Sequence, residues 1–147
     1  MRRLLQKNQL PIDLPEPHLP TSTNHLLPQN IGLVVFDFDG VFTDNRVWLL
    51  EDGRETVVCS RGDGKGLELL AQANIPTYVL SSEINPVVTA RCKKLNIPVK
   101  QGLHDKAQAL TQLADQTDVS RDRVVYVGND VNDLGCFAMA GCSVAVA

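Results

Sequence analysis

From Ile31 onward the chain alternates short apolar runs with amphipathic stretches. Residues 31–36 form an apolar, β-branched run with the length of a buried strand. Similar runs at 76–81, 97–100, 123–127 and 143–146 predict four more strands. Between them the polar pattern takes a helical period. A helix is expected through Ala73, with Leu67, Leu70 and Ala71 on one face. A second is expected over 84–95 with Pro86 in its first turn, where proline is tolerated. A third over 105–115 turns Ala107, Leu110, Leu113 and Ala114 inward, and a fourth covers 130–140. Two shorter β-prone runs, 46–50 and 55–59, flank Glu51-Asp52-Gly53-Arg54, and Asp-Gly in that setting predicts a hairpin. Arg61-Gly62-Asp63-Gly64-Lys65-Gly66 reads as a flexible loop. Strands alternating with helices predict an α/β fold, a doubly wound parallel sheet covered by helices, with the hairpin as a small extra.

Residues 1–30 break this pattern. Pro11, Pro15, Pro17, Pro20 and Pro28 fall there, around Thr21-Ser22-Thr23-Asn24. That composition disfavours both helix and central strand, so 1–30 is expected to be an extended arm or linker. The remaining 31–147 is expected to be one domain.

Composition adds limits. The 147 residues are 44% hydrophobic and 21% charged, ordinary for a globular domain large enough to bury a core. A net charge of −3 gives no electrostatic footprint for nucleic acid or an anionic membrane surface. No run reaches transmembrane length. An anionic substrate must therefore meet local cations. Cys59, Cys92, Cys136 and Cys142 have no Cys-x-x-Cys spacing, so they are expected as free thiols in a reducing compartment. Met1-Arg2-Arg3-Leu4-Leu5 begins like a secretion leader, but polar residues follow at once, and the expected location is the cytoplasm.

The chemistry gathers at the strand ends. The first strand runs into Asp37-Phe38-Asp39-Gly40, and doubly wound sheets bind ligands at their carboxyl edge. Two acids one residue apart there point to a hard-cation site or a carboxylate nucleophile. Ser81 and Ser82 end the second strand before a helix, where a hydroxyl and backbone N–H groups can take phosphate oxygens or simply cap. Lys106 opens the helix after the third strand. Gly128-Asn129-Asp130-Val131-Asn132-Asp133 follows the fourth strand with oxygen donors suited to Mg²⁺. Each alone has a structural alternative; their order and placement together point to phosphoryl chemistry.

The stretch Leu33-Val34-Val35-Phe36-Asp37-Phe38-Asp39-Gly40-Val41-Phe42-Thr43-Asp44, with Ser81, Lys106 and the 128–133 loop, resembles the four motifs of the haloacid dehalogenase superfamily. That resemblance implies an Mg²⁺-dependent phosphatase with an aspartyl-phosphate intermediate. It implies Asp37 as nucleophile, Asp39 as general acid/base and Lys106 as the phosphoryl-neutralising cation. Asp37, Asp39, Asn129 and Asp130 would hold the metal, with Asp133 in support. Ser81 and Ser82 would bind the phosphoryl group; Glu83 and Arg61 would contact the rest of the substrate. Only about two dozen residues separate Asp39 from the first core helix, so a hairpin stands in place of a cap domain. This is similar to the capless branch that contains 3-deoxy-D-manno-octulosonate 8-phosphate phosphatases, sialic-type 9-phosphate phosphatases and the C-terminal modules of N-acylneuraminate cytidylyltransferases. The branch implies a phosphorylated sugar acid as substrate and a homotetramer with Trp48 at an interface. It also implies an alternative, a non-catalytic oligomerisation module of a cytidylyltransferase. Asn129 stands where octulosonate phosphatases usually carry Asp, which implies weaker metal binding. Gly62 stands where their loop carries arginine. The sequence ends at Val144-Ala145-Val146-Ala147, so a domain without the family's C-terminal helix and Gly-rich tail is expected.

Overall fold

A four-residue strand, β1 (Leu33–Phe36), lies at the centre of the sheet. The computed structural model describes residues 28–146, so all but the last three residues of the expected arm fall outside the described part. The other elements are β2 (Trp48–Leu49), β3 (Glu55–Thr56), α1 (Gly62–Gln72), β4 (Thr77–Leu80), α2 (Val87–Leu95), β5 (Val99–Lys100), α3 (Lys106–Gln116), β6 (Val124–Gly128), α4 (Leu134–Met139) and β7 (Cys142–Ala145). The sheet order is β5-β4-β1-β6-β7, and every neighbouring pair is parallel. β2 and β3 pair antiparallel as a separate hairpin, with Trp48 opposite Thr56 and Leu49 opposite Glu55. The order reverses direction at β1, the switch point where such sheets form their ligand crevice. No described helix is long and apolar enough to cross a membrane.

Successive side chains of a strand point to opposite faces, and each face carries its own core. On one, Leu33, Val35, Val124 and Tyr126 pack against Leu110 and Leu113 of α3 and Cys136 of α4. On the other, Val79 packs with Phe38, Phe42, Ile97 and with Val88 and Cys92 of α2. All four cysteines are free.

The structure departs from the sequence expectations in four places. The glycine-rich stretch 61–66 is not a loop; α1 begins at Gly62. Its first turn is fixed from outside: Gly62 N–H donates to Ser60 Oγ at 3.0 Å, and Asp63 pairs with Arg91 of α2 at 3.3 Å. Leu67 and Leu70 are half-buried, but Ala71 is exposed and α1 buries no residue fully. Pro86 caps α2 rather than sitting inside it, because a proline disfavours helical backbone at the residue before it. Residues 81–86 are consequently a loop. In α3 Ala109 is buried and Ala107 only partly. The expected helix over 130–140 is split into a 3-10 turn, Val131–Asp133, and the shorter α4.

Candidate active site

Asp37 follows β1 directly, and its backbone N–H continues the ladder to Val127 O at 2.8 Å. The extended geometry sends Phe38 into the core, where it stacks on Phe42 at 5.9 Å between centroids. The flanking carboxylates of Asp37 and Asp39 thereby face the cleft, and both line it. Gly40 turns the chain at φ +80°, with its N–H held by Thr43 Oγ1 at 3.0 Å. A Cβ on Gly40 would sit 1.9 Å from Asn129 Nδ2, so glycine lets the β1 and β6 loops touch.

Lys106, buried at the start of α3, joins the two loops. Its Nζ lies 2.8 Å from Asp37 Oδ1 and 2.8 Å from Asp133 Oδ1. Asp133 is wholly buried. Besides Lys106, it accepts from Tyr126 OH at 2.7 Å and from the backbone N–H groups of Asn129 at 2.9 Å and Asp130 at 3.3 Å. One carboxylate therefore ties β6, the 129–130 loop and α3 together. The Tyr126 hydroxyl was not legible in the sequence as part of this network; a tyrosine in an otherwise aliphatic strand was the available signal.

The two carboxylates titrate in opposite directions. Burial would raise Asp133, but Lys106, Tyr126 and the Asn129 N–H outweigh it and hold the carboxyl below its usual range. Asp37 has fewer donors, and burial pushes it up to about 6 against the pull of Lys106. Burial opposes the charge of Lys106, but its bonds to Asp133 and Asp37 prevail and raise it. Asp39 is also raised, by burial first and then by the nearby Glu83 carboxylate.

Ser81, buried at the end of β4, accepts the Glu83 N–H on its Oγ at 3.0 Å. Its own O–H is left to donate. Ser82 and Asn132 approach across the cleft, Asn132 Nδ2 to Ser82 Oγ 3.4 Å. Glu83 Oε1 caps its own loop by accepting from Ile84 N and Asn85 N at 2.6 and 2.8 Å. Ser81 is not at a helix N-terminus as expected, since α2 starts only at Val87. The cleft has a volume of about 370 Å³ and is lined by Asp37, Asp39, Ser81, Ser82, Glu83, Asn129 and Asp130 among others. Arg61 is exposed at the start of α1 and is not among those lining residues. Asn45, which the sequence reading passed over, does line the cleft; it holds φ +60°, a backbone state that asparagine tolerates and few other residues do.

The donor set fits a hard divalent cation. Asn129 Oδ1 is buried without a hydrogen-bond partner, an acceptor that a cation would satisfy. Asp37, Asp39 and Asp130 add carboxylate oxygen within the same cleft. Among the described residues, no group of three or more histidine, cysteine, aspartate or glutamate side chains is placed to hold a metal ion by itself. An open site with few carboxylates suits Mg²⁺, which keeps waters and substrate oxygens in its shell.

Comparisons with known proteins agree with this geometry. Residues 77–147 match the family described as haloacid dehalogenase-like hydrolase. The chain is 31% identical over 130 residues to the 3-deoxy-D-manno-octulosonate 8-phosphate phosphatase KdsC of Salmonella typhi, covering 87% of this chain and 69% of that protein. Its fold superposes on a haloacid dehalogenase family hydrolase from Streptomyces avermitilis with TM-score 0.80 and 50% identity, over 83% of this chain and 71% of the other. It also superposes on the Moraxella catarrhalis octulosonate 8-phosphate phosphatase in complex with magnesium ion, phosphate ion and KDO. That match has TM-score 0.72 and 31% identity, over 76% and 65% of the two chains. These similarities lend no support to the cytidylyltransferase-module alternative. With the doubly wound sheet, the hairpin in place of a cap and the acid pair at the mouth of β1, they show that this chain belongs to the haloacid dehalogenase superfamily, in its KdsC-like branch, and is an enzyme of the phosphatase type.

Proposed function

We propose that this protein is an Mg²⁺-dependent phosphatase that releases phosphate from a phosphorylated sugar acid through an aspartyl phosphate on Asp37. The observation that carries the reading is the buried cation between two carboxylates, Lys106 Nζ at 2.8 Å from both Asp37 and Asp133. The substrate is octulosonate 8-phosphate, as the similarity to KdsC supports, or a sialic-type 9-phosphate of the same chemistry.

The chain's own residues account for each step. Lys106 and the Phe38 N–H both hold Asp37 Oδ1, at 2.8 and 2.7 Å, which leaves Oδ2 as the attacking atom. Asp37 Oδ2 forms the bond to phosphorus while the ester oxygen leaves with its electron pair. Asp39 gives that oxygen a proton, and its raised pKa suits a group that must carry one. Asp39 then takes a proton from water, the water oxygen attacks phosphorus, and Asp37 is regenerated. Ser81 O–H and Lys106 hold the phosphoryl oxygens throughout. Asp37, Asp39, Asn129 and Asp130 would hold Mg²⁺, which when bound would supply charge neutralisation of the transferring group. Phosphoryl transfer asks little more of a protein than such positioning.

The test is phosphate release from octulosonate 8-phosphate with Mg²⁺, with EDTA, and with Asp37→Asn. Release that needs both the metal and Asp37 is the expected outcome; turnover that survives in Asp37→Asn would refute the covalent route. The working form is proposed to be a homo-oligomer, a tetramer by resemblance. Supporting it, Val47, Trp48, Leu49 and Leu50 expose apolar side chains in one run on the hairpin, Trp48 at 66%. The four free thiols fit a reducing compartment such as the cytoplasm.

A further inference from the structure

The cleft does not end at the catalytic residues. Glu83 and Ile84 line both it and a second groove of about 610 Å³, which runs beneath the hairpin between Gly53–Glu55 and Asn85–Pro86. The two spaces share that wall, and their lining runs from Asp37 to the hairpin turn. Its polarity changes along the way. The inner end carries Ser81, with the buried Lys106 held behind Asp37, donors suited to a phosphoryl group. The middle carries Glu83 and Glu55, whose carboxylates can only accept hydrogen bonds. Such a stretch suits the hydroxyls of a sugar chain and repels a carboxylate. The outer end carries Arg54, the one cation among the residues lining either space.

Arg54 is oriented but not used up. Its backbone N–H donates to Asp52 Oδ1 at 3.1 Å and its Nε to Asp52 Oδ2 at 2.7 Å. The terminal N–H groups of its guanidinium have no partner among the described residues, and the side chain is 76% exposed. A planar donor fork with one edge fixed and the other open matches the geometry of a carboxylate.

We propose that Arg54 is a specificity-determining residue that binds the substrate's carboxylate. The hairpin of this same chain then reads the acid end of the molecule while the strand ends read the phosphate. The proposal rests on the phosphatase reading above and deepens it: the substrate carries phosphate and carboxylate at opposite ends, with hydroxyls between.

The experiment compares octulosonate 8-phosphate with a pentose 5-phosphate, whose sugar is neutral and has no carboxylate, as substrates of wild type, Arg54→Gln and Arg54→Lys. The ratio of kcat/KM, acid over neutral, is expected to fall about tenfold in Arg54→Gln, carried by KM. Arg54→Lys should lie between, because it keeps the charge and loses the fork. An unchanged ratio overturns the proposal, and so does an equal loss on both substrates. A binding arm needs no turnover: octulosonate 8-phosphate is titrated by calorimetry into Asp37→Asn and into Asp37→Asn/Arg54→Gln. About tenfold weaker binding in the double variant supports the assignment; equal binding, or none by the single variant, overturns it. Absent turnover in wild type with intact binding would sink the phosphatase reading and leave the binding arm to decide Arg54.

Discussion

A buried lysine between two carboxylates leaves one uncompensated negative charge before any metal binds. Asp133 keeps its charge because four donors surround it, and the excess falls on Asp37. In metal-free protein the folded state therefore holds a proton on Asp37 between about pH 4 and 6 that the unfolded chain has already released. Stability from this group falls as pH rises through that window. Asp37→Asn removes the penalty, so in EDTA its Tm should gain on wild type from pH 4 to 7 and then run parallel. A constant difference across that range would show that Asp37 does not carry the excess charge. Lys106→Met should act oppositely. It leaves two carboxylates buried and facing each other, and breaking a buried pair in this way costs about 3–5 kcal/mol. Urea unfolding at pH 7.5 measures it, and adding Asp133→Asn should recover part of the loss.

At the scale of elements, α1 is the least committed part of the fold. It buries no residue fully and leaves Leu69 66% exposed. Gly66 lies inside it, away from positive φ, and a Cβ there would meet nothing within 4 Å. Gly66→Ala should raise stability by about 0.5–1 kcal/mol through helix propensity and the unfolded state. A fall in Tm instead would mean that this face needs the missing side chain. α1 also marks what the sequence hid. Three glycines near its start, Gly62, Gly64 and Gly66, signal a loop by local preference. The contacts that override it, Ser60 to Gly62 and Asp63 to Arg91, come from outside the segment. The five sheet strands were legible because each is an apolar run between breakers. Asp37, Asp39, Ser81, Lys106 and Asn129 were legible because each follows or closely trails a strand. Arg54 and Asn45 were not, since a residue beside a turn or in a bend carries no mark of what it hangs over. Arg61 was expected in a free loop because of its glycine-rich neighbours, and it stands instead at the start of α1, outside the residues lining the cleft.

Across the whole molecule, the hairpin is the part that one chain alone does not explain. A two-stranded hairpin is at best marginally stable in water, yet this one exposes Val47, Trp48, Leu49 and Val58. A second copy covering it would bury that surface. Trp48→Glu should shift sedimentation velocity from an oligomer to a monomer while leaving far-UV circular dichroism unchanged; a wild type that sediments as a monomer at micromolar concentration would remove the argument.

The central position of β1 has a consequence for how the molecule is made. Phe36 is paired with Val79 on one side and Val127 on the other. The second partner lies some ninety residues later in the chain. A ribosome adding roughly 5–20 residues per second needs about 5–18 s to cover that interval. For that time the nascent strand that leads into Asp37 has one flank without its partner. Asp37 is synthesised well before β6, the strand whose Val127 carbonyl accepts its backbone N–H. The edge of β1 that pairs with β6 is exposed until β6 arrives.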